Sequence, residues 1–141
     1  MKEILLIIPV VLYIIVGAIS LLMAFKNLFA KRLLPFHEKA SGKRWDEIED
    51  PMKFVILSML RLVGLGFLIM AIILLVFPLL NYFIPNEFYK YFIPGIAFIF
   101  CTGLFVINYS IYRKTKADTP WKGSLYAMFI IIVAFVISTF N

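Results

Sequence analysis

Residues 26–53 read KNLFAKRLLPFHEKASGKRWDEIEDPMK and form the only long polar segment of the chain. They hold seven of the 14 Lys and Arg residues and five of the eight acids, and an apolar run lies on each side. Each run is long enough to cross the ~30 Å hydrocarbon core of a bilayer, which takes about 20 residues. The segment is therefore predicted to be the loop between two membrane spans.

The composition of the whole chain also favours a membrane protein. Hydrophobic residues make up 63% of the 141 residues and charged residues 16%, against roughly 45–50% and about 25% in soluble proteins. A soluble domain of this size cannot bury so much apolar surface. Because the basic residues flank the apolar runs, the net charge of +6 indicates the bilayer and its anionic lipid headgroups as partners, and no nucleic acid.

Four apolar runs predict four transmembrane helices, at about residues 4–25, 54–80, 91–112 and 121–140. The expected fold is all-α: an integral membrane protein of one domain, residues 1–141, whose four helices form an antiparallel bundle. A cleaved signal peptide is the alternative for the first run. That run is longer than the 7–15 apolar residues of a typical signal, and three more spans follow it.

The Lys and Arg residues are distributed unequally between the two sides of the membrane. Residues 26–53 and 113–122 hold eleven of them, whereas the opposite side holds only Lys2 and Lys90. Short loops rich in Lys and Arg stay in the cytoplasm. We therefore expect both termini outside, with loops 26–53 and 113–120 cytoplasmic and loop 81–90 outside. The expected location is the plasma (inner) membrane of a prokaryote.

The ends of the spans carry helix signals. The first helix is expected to continue through residues 26–34, in the headgroup layer or as a frayed end, until Pro35 stops it. Asp50 and Thr119 each precede a proline and are expected to cap the second and fourth helices. Because the second helix exceeds the bilayer thickness, Arg61 is expected at the interface, where its side chain reaches the headgroups. The alternative places Arg61 in the interior as a functional cation.

Small residues predict where the helices approach each other. They recur at four-residue spacing in three of the spans, as Ser20/Ala24, Ala97/Cys101, Gly123/Ala127 and Ala134/Ser138. Such pairs allow close helix contacts, within the chain or between subunits. Gly64 and Gly66 are two residues apart and cannot share one helix face, so we expect them to loosen the second span.

The first loop contains one candidate catalytic pair. His37 and Glu38 are adjacent and share the loop with a run of acids, Asp46, Glu47, Glu49 and Asp50. A His beside a carboxylate can act as a general base or contribute to a weak metal site shared between subunits. The structural alternatives are a solvated surface His and acids that stabilise the positive end of the second helix.

The inner membrane face contains a second candidate group. Arg61, Asn108, Tyr109 and Arg113 fall at similar depths and would bind an anionic headgroup or the polar end of an amphipathic substrate if the two helices are neighbours. Interhelical hydrogen bonding and lipid contact are the structural alternative. No metal or cofactor is expected, because one His and one Cys cannot form a closed zinc site or a bis-His haem site within one chain.

Three functions are compatible with this pattern. The first is a non-enzymatic accessory or assembly bundle, as a homo-oligomer or within a larger membrane complex. The second is a membrane enzyme or binding protein for a lipophilic anionic substrate at the cytoplasmic face. The third is an oligomeric channel lined by Thr102, Asn108 and Ser110. A proton-coupled or cation-coupled exporter is disfavoured, because no acid lies inside a span.

In architecture, the chain resembles the membrane-associated enzymes of glutathione and eicosanoid metabolism. The resemblance consists of four spans, outside termini and a long first cytoplasmic loop. The Glu-rich and Arg-rich second helix by which that family binds glutathione is missing, since the sequence around Arg61 reads SMLRLVGLGF.

Overall fold

A computed structural model describes residues 2–140 of the chain, with side chains from residue 6 onward. Throughout this part the regular structure is helical, in five α-helices: α1 (Lys2–Leu28), α2 (Pro35–Ser41), α3 (Asp50–Phe83), α4 (Glu87–Thr115) and α5 (Trp121–Thr139). One turn of 3-10 helix, Trp45–Glu47, lies between α2 and α3. The helices α1, α3, α4 and α5 are long and apolar enough to cross a membrane. The predicted all-helical fold with four such helices is confirmed.

Two of the helices are longer than the hydrocarbon core. At 1.5 Å per residue, the 34 residues of α3 extend over about 51 Å, and the 29 residues of α4 over about 44 Å. A bilayer core is about 30 Å thick. Both helices therefore have turns left over for the headgroup layer or the water beyond it.

The chain between α1 and α2 differs from the prediction. The expected helical continuation through residues 26–34 is wrong, because α1 ends at Leu28 and residues 29–34 are not helical. Leu34 has extended backbone angles, φ −69° and ψ 148°, as expected of a residue before proline. Pro35 starts α2 and does not end α1. Gly42 then ends α2 with a left-handed φ of 68°, which favours glycine.

The predicted helix caps are also displaced. Glu49 is the N-cap of α3, without a side-chain cap hydrogen bond, and Asp50 is already helical. Pro120 occupies the N-cap position of α5 in place of Thr119. The one side-chain cap among the long helices from α3 onward is at α4, where Asn86 Oδ1 accepts a hydrogen bond from the backbone N–H of Phe88 at 2.8 Å. The caps expected at Asp50 and Thr119 are therefore wrong.

The long helices pack in the cyclic order α1, α3, α4, α5, and α5 closes the order against α1. The contact between α1 and α3 is the most extensive, and the contact between α3 and α4 is the smallest of the four. All four helices contribute to one apolar core, which includes Tyr13, Val16, Met70, Leu74, Ile93, Ala97, Cys101, Ile131 and Ala134.

Glycines set the close approach of α1 and α3. A Cβ added to Gly64 would lie 2.8 Å from the backbone nitrogen of Leu28, and one added to Gly17 would lie 2.9 Å from Leu75 Cγ. The helix α3 runs unbroken through Gly64 and Gly66, and the expectation that the two glycines loosen it stays a prediction. Gly64 is a contact point between helices, as small residues are in membrane proteins.

The predicted small-residue pairs are unequal in their contacts. Ser20, Ala24, Ala97, Cys101 and Ala134 are buried. Gly123 lies at an exposed position, and a Cβ added there would meet nothing within 4 Å. The pairs on α1 and α4 thus lie at packed positions, whereas the pair beginning at Gly123 does not.

Candidate functional site

The candidate pair of the first loop, His37 and Glu38, lies on the short helix α2. The two side chains are not bonded to each other. Glu38 Oε1 accepts a hydrogen bond from the backbone N–H of Trp45 at 3.2 Å, so this carboxylate ties α2 to the 3-10 turn that follows. Glu38 therefore has a structural contact that competes with the role of a catalytic partner for His37.

His37 has an unusual environment for a loop residue. Its ring lies 3.9 Å from the ring of Phe36, centroid to centroid. The Nδ1 atom is buried and has no hydrogen-bond partner. Burial lowers the pKa of His37 from its ordinary value, because a charged imidazolium loses hydration there. The imidazole is therefore held neutral near pH 7, with one ring nitrogen directed at no protein group.

A cavity of about 700 Å³ adjoins His37. It lies between the first loop, the beginning of α3 and the end of α4. Its walls are lined by Leu33, His37, Ala40, Ser41, Lys43, Glu47, Ile48, Glu49, Met52, Ile56, Ile111 and Thr115. The volume is within the range of small-molecule sites, roughly 300–1,000 Å³. Apolar walls beside a few charged groups fit an amphiphile.

The acidic run of the first loop is used mainly to fix local structure. Glu47 Oε2 accepts a hydrogen bond from the backbone N–H of Arg44 at 3.1 Å, and Asp50 forms an ion pair with Lys53 at 3.1 Å. Among the residues that the structure describes, no group of three or more His, Cys, Asp or Glu side chains is arranged to hold a metal ion.

The second candidate group consists of Arg61, Asn108, Tyr109 and Arg113. Arg61 is exposed on α3, and Arg113 is exposed near the end of α4. Asn108 is half-buried on α4, and its Nδ2 donates a hydrogen bond to the carbonyl of Leu104 at 2.8 Å. Within residues 6–140, no hydrogen bond or ion pair joins Arg61 to the three α4 residues. A shared headgroup site among the four remains a prediction.

Tyr109 belongs to an aromatic cluster that links α4 to α5. The rings of Phe105, Tyr109 and Tyr112 surround Trp121, with centroid distances to the indole of 6.2, 5.5 and 5.8 Å respectively. Aromatic pairs at these distances stabilise each other by about 0.5–1.5 kcal/mol beyond their area burial. Packing against Trp121 accounts for Tyr109 without a ligand.

One hydrogen bond that the sequence does not reveal lies beside this cluster. The buried Thr119 donates from Oγ1 to the carbonyl of Asn108 at 2.8 Å. This bond ties the α4–α5 loop to a helix turn eleven residues earlier. Thr119 is thus a tether and not the predicted helix cap.

A second cavity, of about 290 Å³, lies at the opposite end of the long helices. It is bounded by the beginnings of α1 and α4 and the ends of α3 and α5, and Tyr13 is one of the residues that line it. Tyr13 is only 5% exposed, and its hydroxyl has no hydrogen-bond partner. Tyr13 is not among the candidate residues predicted from the sequence. A lone Tyr within an apolar run is the only sequence signal for it.

No family model matches this chain, and neither the curated proteins nor the solved structures contain a match to it.

Proposed function

We propose that this chain is a small, non-enzymatic accessory or assembly protein of a prokaryotic plasma membrane. In this proposal the four long helices form an antiparallel bundle with both termini outside. The loops 26–53 and 113–120 face the cytoplasm and contact anionic headgroups. The chain works as a homo-oligomer or as a subunit of a larger membrane complex.

The antiparallel arrangement is supported by which residues lie together. Gly17 on α1 faces Leu75 on α3, whereas Leu28, later on α1, faces the earlier Gly64. The same reversal occurs between α4 and α5, since Tyr91 lies 6.0 Å from Phe135 and Phe105 lies 6.2 Å from Trp121, between ring centroids. In each pair, later positions on one helix meet earlier positions on the other.

One observation carries the non-enzymatic part of the proposal. Four polar side chains on the long helices donate within their own helix: Asn27 to Met23, Thr102 to Phe98, Asn108 to Leu104 and Ser138 to Phe135, in each case to the carbonyl. Such bonds satisfy the donors locally. These donors are therefore occupied before any substrate or pore water is present.

Exposure of α5 favours a role in assembly. Among the 18 consecutive residues of α5 that are most apolar, only 11% are buried against the rest of the chain. The corresponding share is 28% for α1 and for α3. Phe129 on this helix is 68% exposed, whereas Ile131 is fully buried. In a membrane this surface is covered by lipid or by another helix.

Site-specific photocrosslinking in native membranes tests the proposal. A photoreactive residue in place of Phe129 is expected to give a protein adduct of one fixed mass, and the same residue in place of Ile131 is expected to give none. If Phe129 and the other outward positions of α5 yield only lipid adducts, the assembly role is contradicted.

A second candidate function is the binding of an amphiphile at the cytoplasmic face. The cavity beside His37 favours it, because its volume and its mixed apolar and charged lining fit the head and first carbons of an amphiphile. Ile111 lines the cavity, and a Trp in its place would occupy part of the cavity volume. This replacement is expected to release a lipid that copurifies with the wild-type chain. Native mass spectrometry of both proteins checks this, with Ile107→Trp, on the exposed side of α4, as the control.

The channel hypothesis has less support. Thr102 and Asn108, two of its three lining residues, donate to carbonyls of their own helix. Ion flux across liposomes containing the purified chain tests it directly. Flux of a common ion above that of protein-free liposomes would favour a channel over the accessory role.

A further inference from the structure

The cavity at the outer end of the helices is lined by Tyr13, whose hydroxyl is buried and has no partner. Only 5% of Tyr13 is exposed, and its hydroxyl neither accepts nor donates a hydrogen bond within the described chain. Burying a hydroxyl without a hydrogen bond is unfavourable by about 1–3 kcal/mol in proteins. Native structures rarely leave such a group unpaired unless a water, an ion or a ligand completes it.

The other polar groups that line this cavity are mainly hydrogen-bond donors. Asn81 Oδ1 accepts from the backbone N–H of Asn86 at 2.9 Å, and Asn86 Oδ1 accepts from Phe88 at 2.8 Å. Both amide oxygens are therefore in use, while both NH₂ groups remain free to donate. Ser138 differs, because its hydroxyl already donates to the carbonyl of Phe135 at 2.7 Å.

Charge at the cavity also favours a negative ligand. Lys90 is half-buried and lines the cavity, and it forms no ion pair within the described chain. The positive N-terminal ends of α1 and α4 and the negative C-terminal ends of α3 and α5 all lie there, so the helix dipoles largely offset one another and the positive charge comes from Lys90. Glu87 is the one acid of the lining, and it is exposed.

We propose that this outer cavity binds a phosphate group. The free donors are the hydroxyl of Tyr13, the amides of Asn81 and Asn86, and the ammonium of Lys90. A phosphate offers several acceptor oxygens to such a set of side-chain donors. The cavity volume of about 290 Å³ accommodates a lipid headgroup or free phosphate, and the experiment below separates these two sources.

The test uses the full chain in nanodiscs and two probes. One set of nanodiscs contains only phosphatidylcholine and is titrated with inorganic phosphate. The other contains phosphatidylcholine and phosphatidylglycerol in a ratio of about three to one. Thermal unfolding is measured for the wild type, Tyr13→Phe and Lys90→Gln. Tyr126→Phe on α5, where Tyr126 is 65% exposed, is the matched control.

We expect at least one probe to raise the Tm of the wild type and of Tyr126→Phe. Phosphatidylglycerol alone would identify the ligand as a headgroup, and inorganic phosphate alone would identify it as a soluble anion. Loss of one hydrogen bond to a charged group corresponds to roughly tenfold weaker binding or more. Tyr13→Phe and Lys90→Gln are each expected to weaken binding by at least that factor.

Two results would overturn the proposal. In the first, neither probe changes the Tm of the wild type, which would mean that the cavity holds water only. In the second, Tyr13→Phe binds the effective probe as tightly as the wild type does. Because Phe keeps the packed ring and removes only the hydroxyl, this variant remains informative if Lys90→Gln does not fold.

Discussion

Gly64 on α3 lies against the backbone of Leu28 on α1, so closely that a Cβ at residue 64 would be 2.8 Å from the Leu28 nitrogen and 2.8 Å from its Cγ. The carbonyl oxygen of Ala24 would be 3.2 Å away. Two of these three atoms belong to the backbone, which cannot rotate aside as a flexible side chain can. The α1–α3 contact therefore depends on the absence of a side chain at this position.

Gly64→Ala is expected to destabilise the protein. Overpacking in a well-packed interior costs typically about 1–3 kcal/mol, which here outweighs the gain of up to about 1 kcal/mol from replacing a helical Gly with Ala. Gly66→Ala is the matched control on the same helix, because its Cβ would come no closer than 3.7 Å to Phe100. Thermal unfolding in one detergent should give a lower Tm for Gly64→Ala only; equal Tm values would contradict the close approach.

Thr119→Val removes the hydrogen bond between the α4–α5 loop and Asn108 while keeping the shape of the side chain. A hydrogen bond of this kind contributes about 0.5–1.5 kcal/mol, and we expect a loss of that size. Thr102→Val is the control, since the Thr102 hydroxyl bonds only to Phe98 in its own helix. Denaturant or thermal unfolding compares the two. The tether is refuted if both variants lose the same stability.

The single His of the chain allows a direct test of the first loop. Because burial lowers the pKa of His37, the unfolded chain takes up a proton at a higher pH than the folded chain does. The stability gained by burying neutral imidazole is present above the ordinary His pKa of about 6.5 and is lost as pH falls below it. Titration of the one imidazole resonance by NMR should give a midpoint below 6.5. A midpoint at or above 6.5 would show that the ring is solvated or paired with an acid.

The stability profile of His37→Gln provides the complementary measurement. This variant cannot titrate, so the stability difference from the wild type should become smaller as the pH falls from 7.5 to 5.5. Lys43, Glu47 and Glu49 line the same cavity and remain in both proteins, so their contribution to the pH dependence largely cancels in the comparison. A difference independent of pH would contradict the buried neutral state.

Hydropathy alone identified the four long helices, because each depends on a continuous run of apolar residues and on little else. The loop was predicted less well. The residues around Pro35 are compatible with a helix end or a helix start, and only contacts such as the one between Glu38 and Trp45 decide which forms. The predicted helix caps were wrong for a similar reason. Thr119, for example, bonds to the carbonyl of Asn108, eleven residues away, and a local sequence pattern does not reveal such a contact.

Long-range packing explains the remaining differences. The role of Gly64 depends on which face of α3 meets α1, and two glycines in one helix do not reveal that. Tyr13 looks like any aromatic in an apolar run, and only the structure shows that it lines a cavity bounded by four helix ends. Whether Arg61 lies near Asn108 and Arg113 stays a prediction, because it depends on how each helix is rotated about its axis as well as on similar depth in the membrane, and sequence does not provide that rotation.

Membrane topology is the central claim of this account, and cysteine labelling of intact cells tests it most directly. Cys101, the only cysteine and a buried one, is first replaced with Ala. Single cysteines are then introduced at Ser41, Ile84 and Asp118, one in each loop and all exposed. A maleimide that does not cross membranes is expected to label only Ile84→Cys from outside, and the other two only after the cells are opened. Labelling of Ser41→Cys or Asp118→Cys in intact cells, with Ile84→Cys protected, would contradict the predicted orientation.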